Sequence, residues 1–186
     1  MSIEDICRSR RTVHNYVKSD ISQDLLKSAL EAALTAPNHR FTFPWHFALV
    51  GPQGREEILE LAVRMKMAKK DAGDQDQIRR KLVAKMLNPA GLVIFYCKRS
   101  EDPFTAREDY ASVACAIQNF TLFLTEKGYG TKWSTGKVSQ HKDVYQIAGV
   151  DSDKWECVGF VWAGHPEGRV PPRRRPALSD VLSVTS

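Results

Sequence analysis

A chain of 186 residues with 42% apolar side chains can bury the core of one domain, with room for a terminal arm, and its composition excludes a disordered or fibrous protein. Lys and Arg outnumber Asp and Glu by 27 to 22, giving a net charge of +5 and a pI near 9.1. Anionic partners therefore stay open: nucleic acid, a membrane surface or phosphorylated small molecules. The cysteines Cys7, Cys97, Cys115 and Cys157 form no CxxC pair and sit in apolar or helical stretches, so reduced, buried thiols are expected rather than a disulfide framework or a zinc site. The start MSIEDICRSRR lacks an apolar h-region, and no window approaches the roughly 18 apolar residues of a membrane span. The expectation is a soluble, cytoplasmic protein.

Ser2 with Asp5 three residues on signals a short helix from Ile3 to about Ser9, which delivers Arg8, Arg10 and Arg11 to its C-terminal end. Ser22 and Asp24 open a second helix in which Leu26, Ala29, Leu30 and Ala33 recur at three and four residues, and Pro37 forbids its continuation. WHFALVG, 45–51, reads as a short strand. From Gly54 to about Asn88 the pattern is helical, with Ile58, Leu61, Ala62 and Met65 on one face and DAGDQDQ, 71–77, as a polar loop or helix turn. GLVIFYC, 91–97, is β-branched and aromatic without alternation, as expected of a strand buried on both faces at the centre of a sheet.

The longest helix is predicted over Phe104 to Lys127, with Tyr110, Val113, Ile117, Phe120 and Leu124 as its stripe and Gly128 at its C-cap; its length suits a dimer core as well as a monomer. GYGTKWSTG, 128–136, reads as a strand and turn, HKDVYQIAG as a short helix closed by Gly149, and WECVGFVWAG, 155–164, as another buried strand. Helices and strands mix without a βαβ repeat, so the fold class is α+β. The tail GRVPPRRRPALSDVLSVTS cannot pack as a helix before Ala177 and reads as an extended arm lying on another subunit, dividing the chain into a domain, 1–166, and an arm, 167–186.

RSRRT, 8–12, gathers three guanidinium groups and a hydroxyl. That set suits a phosphate, since Arg offers a planar fork of donors; it equally suits cations placed at a helix C-terminus with solvated heads. TAPNHRFTFPWHF, 35–47, sets His39, Arg40 and Trp45 just beyond a rigid break, where a plain helix-to-strand loop needs none of them. There is no GxSxG, HExxH or paired-carboxylate motif, so no protein nucleophile and no metal is expected.

Taken in order, Arg10-Arg11-Thr12, Ala36-Pro37-Asn38-His39, Pro44-Trp45, Gly130-Thr131-Lys132-Trp133-Ser134-Thr135-Gly136 and the closing Gly164-His165-Pro166 resemble the FMN-dependent nitroreductases, in particular their short NAD(P)H-dependent members, over about residues 6–170. The resemblance implies a central, mostly antiparallel mixed sheet flanked by helices, in a homodimer that exchanges C-terminal arms and holds FMN at the subunit interface. It implies that Arg10 and Thr12, with Arg11 between them, hold the phosphate and ribityl chain, and that Thr35 and His39 lie on the flavin side. Lys132, Trp133, Ser134 and Gly136 would form a backbone-rich wall along the ring, and a basic residue of the arm, with Arg173 and Arg174 as candidates in the run 173–175, would reach the phosphate. The chain departs from the family where members often carry Arg and Gln and this sequence has Thr35 and Phe43; Arg40 is a replacement for the missing charge.

The implied chemistry is carried by FMN and by no side chain: NADPH or NADH delivers hydride and leaves, and a small organic acceptor such as a nitroaromatic or quinone takes its place. Lys132 and Arg40 are candidate cations for the charge on the reduced ring, while Glu108 and Asp109 are expected to face solvent or cap helix contacts. The competing readings are a dehalogenase-like member of the same fold and a basic nucleic-acid- or protein-binding module without redox activity. Against nucleic acid, the aromatic residues fall mainly in strands rather than among the basic ones.

Overall fold

Capping chemistry sets the helix starts of the computed structural model, which describes residues 2–68 and 74–185. Ser2 accepts the Asp5 amide and Asp5 accepts the Ser2 amide, the reciprocal pair that opens α1 (Ile3–Ser9). Ser22 caps α2 (Gln23–Leu34), which ends on Thr35 just before Pro37. There follow β1 (Trp45–Leu49), α3 (Pro52–Met67), α4 (Gln75–Met86), β2 (Gly91–Lys98), α5 (Pro103–Glu126), β3 (Gly130–Ser134), α6 (Lys142–Ala148) and β4 (Trp155–Gly164). Single 3-10 turns lie at His39–Phe41 and Leu178–Asp180. The helical stretch expected over 54–88 is thus two helices. Of its polar interruption, residues 71–73 lie outside the described residues, and Asp74 caps α4 by accepting the Asp76 amide.

The sheet runs β1-β2-β4-β3 with every neighbouring pair antiparallel; the parallel element is an isolated bridge between Thr12 and Thr131. β2 and β4 are the inner strands and bury both faces, which is why neither alternates in sequence. On one face Val93, Phe95, Val161 and Ala163 pack with Ala29 and Ala33 of α2 and Ile117 and Phe120 of α5. On the other, Leu92, Ile94, Tyr96, Phe160 and Trp162 pack with Ile58 and Leu61 of α3, Met86 of α4 and Val144 of α6. Each large apolar side chain so buried contributes about 1.5–3 kcal/mol.

Two local devices shape this frame. Phe95 opposes Gly159 and Tyr96 opposes Cys157, so Val158 is the extra residue of a β-bulge in β4. Gly159 sits at φ 150°, where a side chain would be strained and its Cβ would run into the Trp133 indole. The carbonyl of the extra residue, Val158, accepts the Nε1–H of Trp133 at 3.2 Å. On the other face, Arg55 of α3 donates to the carbonyls of Met86 (3.0 Å), Leu87 (2.9 Å) and Ala90 (3.3 Å), and also to Pro89, closing the turn from α4 into β2.

The cysteines split into two classes, against the expectation of four buried thiols. Cys97 and Cys157 are buried; Cys7 and Cys115 are exposed. α1 buries no residue, and Cys115 lies on α5 one step outside the buried stripe of Val113, Ala116 and Ile117. Beyond Pro171 every described residue is exposed. Among the described residues no helix is long and apolar enough to cross a membrane.

Candidate functional site

Arg10 is the C-cap of α1, and its extended backbone (φ −53°, ψ 130°) sends the chain away from the helix to run beside β3, where the Val13 amide donates to the Thr131 carbonyl at 3.0 Å. This turn gathers Arg8, Arg10, Arg11 and Thr12 around a cleft of about 370 Å³ that is closed by Arg173 and Arg175 of the tail. Arg8 is neutralised by Glu4 at 2.7 Å, but among the described residues no carboxylate pairs with Arg10, Arg11, Arg173 or Arg175. Burial, then the charges of Arg175 and Arg11, hold the Arg10 guanidinium below its ordinary value. Arg11 donates to the carbonyls of Arg8 (2.5 Å) and Arg10 (2.9 Å), and its Nε is buried with no partner. Arg174 lies in a neighbouring hollow with Ala177 and Asp180, so the arginines of the tail that reach this cleft are Arg173 and Arg175.

Arg10 and Thr12 also line a second cleft, of about 210 Å³, with Thr131 and Trp133 of β3 and Ala114, Ile117, Gln118 and Thr121 of α5. A third, of about 310 Å³, takes Ala106 and Tyr110 of α5 with Thr135, just past β3. Residues 106, 110, 114, 117, 118 and 121 recur at three and four positions on one flank of α5, so the clefts follow one another along about 22 Å of helix. The alternation of β3 puts Thr131 and Trp133 on this side and Lys132 and Ser134 on the other. Ser134 Oγ accepts the Trp162 Nε1–H at 3.1 Å, and the Lys132 ammonium is held below its ordinary value by burial and then by Lys85. Lys132 and Ser134 therefore line none of these clefts, and the residues of this segment that the clefts reach are Thr131, Trp133 and Thr135. The carbonyl of Gly136 accepts both the amide (2.9 Å) and the hydroxyl (2.8 Å) of Ser139.

The segment after Pro37 is built against α5 by polar contacts. Thr35 Oγ1 donates to the Ala32 carbonyl (2.8 Å) and accepts from Asn119 of α5 (3.3 Å), and His39 Nδ1 meets Glu108 Oε2 at 2.7 Å. Arg40, Phe41 and Phe43 all have positive φ (56°, 51° and 45°), a left-handed backbone that costs a non-glycine residue about 1–2 kcal/mol. Phe41 is 75% and Phe43 60% exposed. Asp109, expected to face solvent or cap a helix, is buried at 3% exposure and accepts the Thr42 hydroxyl at 2.5 Å. Glu108 answers to His39. Sequence reasoning missed Asp109, although a carboxylate four residues before Val113, in line with the apolar stripe, was a signal of burial. At 100° per residue, Glu108, Asp109, Ser112 and Asn119 fall on the flank of α5 opposite the clefts, and neither cleft lined by Arg10 includes Thr35 or His39.

The first cleft carries surplus guanidinium charge, the second sets the Trp133 indole with hydroxyl, amide and methyl side chains beside Arg10 and Thr12, and the third adds Tyr110 together with Lys98, Arg99 and Glu156. The first two clefts, which share Arg10 and Thr12, suit an elongated ligand with an anionic head and a flat tail, the shape of FMN, and the unpartnered Arg11 Nε lies at the anionic end.

Comparison with known proteins bears on the fold and the family. Over 180 residues the chain is 28% identical to the Bacillus subtilis protein named "Putative NAD(P)H nitroreductase YfhC", covering 96% of this chain and 91% of that one. The crystal structure of a nitroreductase-like family protein from Bacillus cereus superposes with a TM-score of 0.85 at 23% identity, covering 100% of this chain and 96% of that one. The FMN and NADPH-dependent nitroreductase NfnB from Sphigopyxis sp. strain HMH superposes with a TM-score of 0.80 at 15% identity over 100% of both chains. At those identities the superpositions speak for the fold; the sequence model of the nitroreductase family matches residues 7–165, from the last turn of α1 to the end of the sheet, and the chain belongs to that family.

Proposed function

We propose that this protein is an FMN-dependent oxidoreductase that passes electrons from NADPH or NADH to a small organic acceptor such as a nitroaromatic or a quinone. The observation that carries the reading is the set of uncompensated arginines at the head of the α5 clefts. Arg10, Arg11, Arg173 and Arg175 would grip the phosphate, where planar forks give paired charge-assisted bonds, and the Thr12 hydroxyl would add a short contact beside them. Bound FMN supplies the hydride chemistry, so the chain needs no nucleophile of its own.

The work of the protein in this reading is to bind, orient and shield. β3 is an edge strand, so the outer row of its main-chain groups is open apart from the Thr131 carbonyl that Val13 occupies, and can meet polar atoms of a flat ring. Trp133, held by Val158, fixes the wall beside that row. Because the cleft side chains and the Thr35–His39 group lie on opposite flanks of α5, a ring touched by both would receive them from two subunits. Thr35, His39 and the exposed Phe41 and Phe43 then complete the site of a partner copy in a homodimer. Residues 1–166 form the cofactor-binding domain, and the arm 167–186, with Leu178, Val181, Leu182 and Val184 exposed at 53–84%, packs on the partner.

The test is an absorption spectrum of protein mixed with FMN and freed of excess, then titrated anaerobically with NADPH and with NADH, alongside light scattering for mass. Flavin peaks that bleach, in a particle of twice the chain mass, are the expected result. A protein that emerges colourless overturns the reading.

A further inference from the structure

The polar groups that hold the turn after Pro37 form a directed chain. Asn38 Nδ2 donates to Thr42 Oγ1 (3.0 Å) and to Ser112 Oγ (3.2 Å), while its Oδ1 accepts the Phe43 amide (2.8 Å). Thr42 Oγ1, having accepted from Asn38, donates to Asp109 Oδ1 at 2.5 Å. Asp109 and Ser112 lie three residues apart on one flank of α5 and are 3% and 5% exposed. Both Asn38 amide protons and the hydroxyl proton of Thr42 are committed, so the chain ends on an acceptor, a side-chain oxygen of Asp109. A buried polar side chain is costly to keep unless it is hydrogen-bonded. Here it sits beside a turn in which three residues, Arg40, Phe41 and Phe43, are held in left-handed backbone and two phenylalanines are turned out to solvent. None of those side chains is buried to reward the strain, so the polar chain is what maintains the shape of the turn.

We infer that Asp109 is a positioning residue: acting through Thr42 and Asn38 it fixes the 38–43 turn, and thereby presents His39, Phe41 and Phe43 as one wall of the acceptor site. The inference rests on the flavin reading above. It assigns the turn a preference for flat, aromatic acceptors, since what it holds forward is an exposed aromatic pair whose ring centroids are 6.2 Å apart and whose Phe43 is backed edge-on by Trp45. Asp109 touches neither cofactor nor acceptor. Its effect is on where the turn sits.

The test uses the full chain loaded with FMN and three variants. Thr42→Val keeps the shape and removes the hydroxyl, Thr42→Ser keeps the hydroxyl, and Asn38→Ala frees the Phe43 amide while leaving Asp109 paired, which covers the case in which Thr42→Val does not fold. Amide hydrogen exchange of residues 38–43, read by mass spectrometry without any flavin, should quicken at least tenfold in Thr42→Val and Asn38→Ala, with the sheet unaffected. The KM for a nitroaromatic acceptor should rise at least fivefold in those variants, with kcat and the KM for NADPH within twofold, and Thr42→Ser should match the wild type on every readout. Unchanged exchange overturns the positioning role. Quickened exchange with an unchanged acceptor KM, or a defect in Thr42→Ser, overturns the assignment of the turn to the acceptor site. A wild-type protein that takes up no flavin sinks the functional reading and the acceptor assignment with it, while the exchange result still decides whether the polar chain holds the turn.

Discussion

The Val13 amide and the Thr131 carbonyl meet at 3.0 Å, and this bond lays the arginine-bearing loop on the strand that carries Trp133. The head and the wall of the proposed site are thereby one rigid unit, joined by main chain rather than by the arginines themselves.

It follows that removing an arginine should empty the site without loosening it. Arg10→Ala loses charge-assisted bonds that are typically about 1.5–3 kcal/mol, so FMN should bind roughly 10- to 100-fold more weakly in a flavin-fluorescence titration. The melting temperature of the flavin-free protein should not fall, because no carboxylate among the described residues loses a partner. Full FMN retention at micromolar protein would remove Arg10 from the phosphate site.

Arg55 has the opposite profile. Its guanidinium serves the carbonyls of Met86, Leu87, Pro89 and Ala90, none of which lines a cleft. Arg55→Ala leaves those acceptors without their donor and should cost about 3 kcal/mol, seen as a lower urea midpoint at constant slope, with FMN affinity unchanged. Arg55→Lys should recover less than half, since one ammonium cannot span a turn that a planar fork bridges.

The thiols should react in two classes. With a coloured disulfide reagent at pH 8, Cys7 and Cys115 should react at once and Cys97 and Cys157 only after denaturation. Burial pushes the thiols of Cys97 and Cys157 up to about 12 from an ordinary 9.0. A raised folded-state value means that the unfolded chain gives up these protons first. Stability is therefore whole below about pH 9 and is lost as pH rises toward about 12. Cys97→Ala with Cys157→Ala should flatten that alkaline slope in denaturant titrations.

Gly159→Ala asks for a side chain at φ 150° and against the Trp133 indole. It should destabilise by about 2 kcal/mol and shift tryptophan emission as the indole leaves the Val158 carbonyl. Adding Trp133→Phe should return part of the loss, a coupling that a double-mutant cycle measures directly.

Much of this architecture is written locally. The Ser2–Asp5 cap, the stop before Pro37 and the unalternating runs of β2 and β4 each follow from contacts within a few residues, or from burial on both faces, and each can be read from the chain. The neighbourhood of Arg10, Thr12 and the 130–136 segment follows only from the family resemblance. What cannot be read depends on partners distant in sequence. The left-handed backbone at Arg40, Phe41 and Phe43 runs against the preference of every one of those residues and exists because Asn38 and Thr42 reach α5. Likewise Arg175 rather than Arg174 faces Arg10 because of how an extended tail happens to lie, and no periodicity announces that. The exposure of Cys7 and Cys115 is of the same kind: helix membership was legible, but which turn meets a neighbour was not.

The strand order β1-β2-β4-β3 has a consequence for how the chain is made. β4 is the last strand to leave the ribosome, yet it is an inner plank, paired on one side with β2 and on the other with β3. Until residue 164 has emerged, β1 and β2 hang together with an open apolar edge, and β3 has nothing in the sheet to pair with. A nascent chain in that state is unfinished at its centre rather than at its rim, and it must be kept from neighbouring chains until its final strand slides into the gap that the earlier ones have left.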